Sequence, residues 1–142
     1  MAKKSSKKLD GSCLCGAVKF EAADPSSCFN CHCSICRRAY GAAFGTLAGF
    51  ESENLRITSS PDNLTRYRTD SDATRSFCKK CGSTLFYESP HAEGEVYVTL
   101  ANLGEEHDLR PECHYFVDHG AKWFAITDSL PQHGGESGTE PK

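Results

Sequence analysis

The chemistry open to this chain rests on sulfur. Nine cysteines occur among 142 residues: Cys13 and Cys15, then Cys28, Cys31, Cys33 and Cys36, then Cys78 and Cys81, with Cys113 alone. An odd number cannot pair completely within one chain, and close spacing within each group suits thiolate ligands of zinc, which takes four donors at tetrahedral corners. The stretch CKKCG at 78–82 has the form of a metal knuckle. Two sulfurs can point at one ion, backbone amides stabilise their charge, and Gly82 can take the positive φ that such a turn requires. It supplies two donors and needs two more. Cys13 and Cys15, just before Gly16 and an expected strand, are the natural complement, and the four together would staple the N-terminal strand to the hairpin around Cys81. Four ordinary buried thiols are the plainer alternative, and a redox pair at Cys78 and Cys81 is disfavoured because no βαβ pattern flanks it.

The central stretch CFNCHCSIC at 28–36 leaves two arrangements open. CFNC and CSIC are knuckles of identical spacing and could close one cage, although eight peptide units would then wrap a single ion with little freedom. If only three of the four bind, the fourth coordination position is left for water or an incoming thiol, and Cys28 decides between the two. His32 is read as non-ligating, because in an extended segment Cys31 and Cys33 share one side and His32 takes the other.

The elements that must position these thiols read as mostly β. Short strand-like runs alternate with turn signals, and no segment keeps a helical apolar period for three turns. Strands are predicted at 17–22, 43–50, 55–58, 64–69, 74–77, 84–88, 95–101 and 113–117, each rich in β-branched or aromatic residues and bounded by Gly, Pro, Asn, Asp or Ser. A short helical turn is expected after Cys33. The length and a 38% hydrophobic content fit a single domain at 11–132, between a disordered lysine-rich tail at 1–10 and a disordered end at 133–142 that has no apolar residue to bury. The first ten residues hold four lysines but no apolar signal core, and no later run approaches a membrane span, so a soluble, cytoplasmic protein is expected.

On the motifs GSCLCGAVKFEA (11–22), CHCSICRRAYGAAF (31–44), FCKKCGSTLFYE (77–88) and HYFVDHGAKWFAITDSLPQ (114–132), the chain resembles the glutathione-dependent formaldehyde-activating enzymes, a family that also takes in the centromere-protein-V relatives. The resemblance covers nearly all of 11–132. It implies a β-tent fold, antiparallel sheets pinned by a structural zinc, and a second zinc near the active site. Carried over residue by residue, Cys13, Cys15, Cys78 and Cys81 would hold the structural zinc, in agreement with the pairing from spacing. Cys31, Cys33 and Cys36 would hold the second, which leaves Cys28 a bystander. Two zinc ions per chain are therefore expected, the second more easily lost because three ligands hold metal less firmly than four.

Zinc with three thiolates carries a formal −1 charge, which suits it to holding a soft sulfur better than to making hydroxide. That fits the family reaction, a carbon–sulfur lyase or synthase chemistry in which glutathione adds to formaldehyde to give S-(hydroxymethyl)glutathione. The partners implied are glutathione or another small thiol, and an aldehyde. Arg37 is the candidate anchor for a glutathione carboxylate, whereas the plainer reading of Arg37 and Arg38 is charge balance for the thiolate centre or surface ion pairs. Phe29, Tyr40 and Phe44 read as core, His114 as a hydrogen-bonded structural histidine, Cys113 as a buried thiol, and Trp123 as a core anchor for the C-terminal segment. The net charge of −3 and the lack of a basic aromatic face argue against nucleic acid as a partner. A thiol carrier without catalysis and a structural zinc interaction domain stand as the alternatives to an enzyme.

Overall fold

The computed structural model describes residues 8–142. Along the chain it places strands β1 (Lys8–Ser12), β2 (Lys19–Ala23) and β3 (Ser27–Cys31), helix α1 (Ser34–Tyr40), and strands β4 (Gly45–Glu51), β5 (Leu55–Ile57), β6 (Leu64–Arg68), β7 (Thr74–Cys78), β8 (Thr84–Glu88), β9 (Glu95–Thr99), β10 (His114–Tyr115), β11 (His133–Gly134) and β12 (Glu140–Pro141). The architecture is mostly β, as expected from short strand-like runs that alternate with turn signals. The described chain divides into two compact units, residues 8–26 with Ala48–Asp108, and Ser27–Leu47 with Leu109–Lys142.

In the first unit, β1, β2 and β5 form a three-stranded antiparallel sheet in that order. Leu9, Phe20 and Ala22 are buried on it, while Lys8, Asp10 and Lys19 face water, the period-2 signature of a half-buried strand. Gly11 sits opposite Phe20, and any side chain there would overlap the Phe20 ring. β9, β8, β7 and β6 form an antiparallel run, with a register shift between Ser76 and Phe77. The core gathers Val18, Phe20, Phe50, Leu85, Phe86, Val96 and Val98, with Phe20 edge-on to Phe86 at 5.0 Å between ring centres. β6 exposes Arg66 and Arg68, a charged edge that resists pairing with a second chain.

In the second unit, β3 pairs in parallel with β10, His114 opposite Asn30 and Tyr115 opposite Cys31. Cys28 and Asn30 are buried, and Asn30 Oδ1 accepts a hydrogen bond from the Thr46 hydroxyl at 2.6 Å. α1 is capped at its start by the Cys33 side chain and ends on Gly41 at φ 64, the left-handed stop that favours glycine.

Two expectations are corrected here. The end from His133 is not disordered: β11 and β12 pair antiparallel. Asp118 ties the hairpin down by accepting from the Gly135 backbone N–H at 2.7 Å and the Lys142 ammonium at 2.6 Å. Apolar burial, the criterion behind that expectation, is replaced by ion pairing and by Gly138 packed under the Phe116 ring. Trp123 is not a core anchor; it is 73% exposed, and Phe44 and Phe124 make the aromatic contact in that segment instead, 5.6 Å apart. At the other end, Lys8, Leu9 and Asp10 of the expected lysine-rich tail lie in β1, and the rest of that tail lies outside the described residues. No helix among the described residues is long and apolar enough to cross a membrane.

Candidate metal centre

Two groups of thiols converge. In the first unit, Cys13 and Cys15 occupy the turn between β1 and β2, Cys78 ends β7 and Cys81 lies in the turn to β8; their four sulfurs all lie within 4.8 Å of one another. The Sγ atoms of Cys13 and Cys15 are 3.7 Å apart and those of Cys15 and Cys78 are 3.8 Å apart. Four sulfurs at about 2.3 Å from one tetrahedral ion would stand about 3.8 Å apart, so the donor set fits zinc as it stands. The backbone prepares the site for negative charge. Val18 N–H donates to Cys13 Sγ at 3.3 Å, and the N–H groups of Lys80 and Cys81 donate to Cys78 Sγ at 3.3 and 3.4 Å. Gly16 at φ 84 and Gly82 at φ 78 take the left-handed turns that bring these amides round, which is the role expected of Gly82. The Ser83 hydroxyl, with its backbone, holds the Cys81 thiol down at about 5. Burial pushes Cys13 up, but the Val18 N–H and the Cys78 and Cys15 thiols outweigh it and leave it below its ordinary range.

In the second unit, Cys31 ends β3, Cys33 caps α1 and Cys36 lies in its first turn, again with all sulfurs within 4.8 Å. Cys31 and Cys33 stand 3.6 Å apart, and Cys36 N–H donates to Cys33 Sγ at 3.3 Å. Hydrogen bonds from the Cys31 and then the Cys36 thiol hold Cys33 far below the ordinary thiol range, while Cys33 and Cys36 drive Cys31 far above it. Three sulfurs that compete for so few protons are a set that a dication satisfies better than protons do. No fourth cysteine, histidine or carboxylate joins the three among the described residues. Cys28 is buried outside the group, and burial, followed by the charges of Glu112 and Cys113, pushes its thiol up to about 11.

Arg37 is committed to the backbone, its Nε–H to the His32 carbonyl at 3.2 Å and its Nη2–H to the His119 carbonyl at 2.9 Å. Arg38 is exposed.

The sequence did not reveal what lies on the other side of the chain from the thiols. His32, 2% exposed, places Nε2 2.8 Å from Nδ1 of His114, itself 1% exposed, and His114 Nε2 lies 3.1 Å from both carboxylate oxygens of Asp128. His32 thus stays clear of the thiol cluster and His114 is hydrogen-bonded, as expected, but their union through Asp128 had no local signal. The three positions are separated by 82 and 14 residues. The Phe44 ring packs 4.7 Å from the His32 ring. His32 lines a cavity of about 400 Å³ together with Val117, Gly120, Phe124, Gln132 and Lys142.

Comparison with known proteins agrees with these features. Residues 8–119 match the family model described as glutathione-dependent formaldehyde-activating enzyme. A protein of Halomonas elongata, provisionally named a glutathione-dependent formaldehyde-activating enzyme, is 28% identical over 127 residues, which cover 83% of this chain and 80% of that one. An uncharacterised lyase of Schizosaccharomyces pombe is 32% identical over 124 residues, covering 78% of this chain and 87% of the relative. A crystal structure of a Rhodobacter sphaeroides protein superposes with a TM-score of 0.59 at 29% identity, over 70% of this chain and 90% of the other. With the family model spanning both thiol groups, the chain belongs to the glutathione-dependent formaldehyde-activating enzyme family.

Proposed function

We propose that the protein is a zinc-dependent carbon–sulfur lyase or synthase that joins the sulfur of glutathione, or of a related small thiol, to the carbon of formaldehyde or a related aldehyde. The observation that carries this reading is the Cys31, Cys33 and Cys36 triplet, three converging sulfurs that no fourth protein donor joins among the described residues. Cys13, Cys15, Cys78 and Cys81 would hold a closed structural zinc that pins the β1–β2 turn to the β7–β8 turn, the arrangement expected of a β-tent. Zinc held by three thiolates supplies a position for a soft sulfur and lowers the pKa of a thiol placed there. The chain's own residues do the rest. Cys33 is fixed by the Cys36 N–H, Cys31 by the end of β3, and Arg37 braces the loop between them through the His32 carbonyl. In the synthase direction the thiol sulfur forms a bond to the carbonyl carbon, the C=O π bond breaks, and the proton lost from sulfur ends on the new hydroxyl oxygen.

Exchange NMR of glutathione and formaldehyde, with and without catalytic amounts of protein, tests the proposal. Acceleration by the wild type, lost in Cys36→Ser, is the expected result. Saturable glutathione binding with no acceleration would replace the enzyme by a thiol carrier.

A further inference from the structure

The cavity of the second unit is lined by groups that the thiol chemistry leaves unused. Val117, Phe124 and Ile126 give it apolar walls, while Asp118, Gln132 and Lys142 bring a carboxylate, an amide and an ammonium to the same space of about 400 Å³. Phe116 opens this wall at φ 58, a left-handed conformation that is strained for a residue with a large side chain, and the short helical turn Val117–His119 follows directly from it. The C-terminal hairpin holds Phe116 there: its N–H donates to the Gly138 carbonyl at 2.9 Å, and its ring packs over Gly138. Arg37 braces the same wall, donating to the His119 carbonyl at 2.9 Å and to the His32 carbonyl at 3.2 Å, so one guanidinium supports both the cavity and the loop of the thiol triplet. Phe124, Gln132 and Lys142 all lie beyond residue 119, where the match to the family model ends.

Within this wall, Lys142 Nζ stands 2.6 Å from Asp118 Oδ1, and Asp118 Oδ2 accepts the Gly135 N–H at 2.7 Å. The ion pair is only one of several ties on the hairpin, since the Lys142 N–H also donates to the Gln132 carbonyl at 3.0 Å and β11 pairs with β12. Its two side chains are 45% and 40% exposed, and a pair so open to water adds little to stability. An ammonium has three donors and a carboxylate accepts more than two hydrogen bonds, so both groups can hold each other and still engage a ligand.

We infer that the cavity receives the α-amino-acid head of the thiol substrate, with Lys142 binding its α-carboxylate and Asp118 its ammonium. This deepens the proposed function and rests on it for the identity of the thiol: the γ-linked glutamyl residue of glutathione keeps both its α-amino and its α-carboxyl group free, and so presents such a head away from the sulfur. A zwitterion is the complement of this wall because each of its charges meets the opposite one, and the resident ion pair leaves neither protein charge without a counter-charge when the cavity is empty. The apolar walls suit the methylenes of the glutamyl side chain, and the Gln132 amide suits the peptide link that follows them. Lys142 and Asp118 thus determine specificity and touch no reacting atom.

The test uses the metal-loaded full chain and three probes: S-methylglutathione, whose blocked sulfur reports the peptide part alone, its glutamyl α-carboxamide and its N-acetyl derivative. The wild type should bind the first saturably and each of the others about tenfold more weakly, the worth of one charge-assisted hydrogen bond. Lys142→Met should bind S-methylglutathione no better than the carboxamide while still rejecting the N-acetyl form, and Asp118→Asn should show the opposite pattern. Lys142→Arg, which keeps the ion pair, should keep the wild-type preferences. The Gly135 amide resonance reports whether the hairpin stays docked in each variant; a merely structural pair would move that resonance and leave the ratios between probes unchanged. Equal binding of the three probes by the wild type, no saturable binding, or wild-type ratios in both Lys142→Met and Asp118→Asn would overturn the inference. If the ratios are as expected while the wild type fails to accelerate adduct formation, the inference stands and the enzyme reading falls. If the wild type is active and binds the three probes alike, the inference falls alone.

Discussion

Replacing Cys78 by serine separates the two thiol groups by their mechanical roles. Cys78 is fully buried, accepts two backbone N–H groups and lies 3.8 Å from Cys15. A metal shared by these two residues ties positions 63 apart, and the loop-closure entropy of a cross-link of that span is worth about 4 kcal/mol at 25 °C. Cys31 and Cys36 are only five positions apart, from the end of β3 to the first turn of α1, and for that span the same relation yields about 2 kcal/mol. Total stabilities of about 5–15 kcal/mol make the first loss grave and the second tolerable. For a chain of this length, about 4 kcal/mol corresponds to a fall in Tm of about 15 °C, and Cys36→Ser should lose half of that or less. The assay pairs metal analysis of protein purified without chelator with thermal unfolding followed by circular dichroism. Each variant should lose one zinc per chain, but only Cys78→Ser should lose much of its thermal stability. Equal collapse of both variants, or Cys78→Ser retaining every metal ion and the wild-type Tm, would refute the division into a structural and an open site.

Cys28→Ser should leave the metal count of the wild type intact and cost about 1–3 kcal/mol, because a buried thiol is exchanged for a hydroxyl that must find a partner; loss of a metal ion would restore the four-cysteine cage. Gly11→Ala should destabilise by about 1–3 kcal/mol in chemical denaturation, since the new methyl overlaps the Phe20 ring across the β1–β2 pair, and the second variant Gly11→Ala with Phe20→Leu should recover part of it. Asp118 is held below its ordinary range by Lys142 first and then by the Gly135 N–H, so its contribution to the β11–β12 hairpin is present above about pH 4 and is lost as pH falls through the lower folded value. The Gly135 amide resonance should report that loss with a midpoint below about 3.9, and a midpoint at or above that value would contradict the ion-paired hairpin.

What the sequence made legible is what local chemistry determines. Runs such as TLFYE and EVYVT, rich in β-branched or aromatic residues and bounded by turn residues, became β8 and β9 within two residues of the expected bounds. The distant pairs Cys13 with Cys15 and Cys78 with Cys81 met because a two-residue knuckle leaves its donor set half complete, a deficit visible in one dimension. β1 was not expected, because KLDGS has poor strand propensity; its register against β2, with Leu9 and Gly11 on the buried face, overrides the intrinsic preference. β3 was hidden for a related reason. SCFNC was weighed as ligands, whereas Cys28 serves as a small apolar residue and only Cys31 reaches the thiol group.

The histidine chain was invisible for a different reason, which also bears on how the two sites relate. Nothing in a lone His32 between two cysteines distinguishes a ligand from a bystander, and strand geometry says only that it faces away. Its meaning comes from the parallel pairing of β3 with β10, which sets Asn30 opposite His114 and so brings His114 within reach of His32, two residues on and just past the end of β3. The segment after β10 then returns Asp128 to His114 through the Leu130 turn. Parallel pairing requires a long crossover, so its partners are necessarily remote in sequence. The same pairing places Tyr115 opposite Cys31. Position 31 carries a thiol of the triplet and position 32 the end of the histidine chain, and both are located by one two-residue ladder. A change that shifts that ladder should therefore disturb metal affinity and the His32–His114 contact together, whereas Asp128→Asn, which leaves the backbone pairing alone, should alter only the histidine chain and leave the metal count as in the wild type.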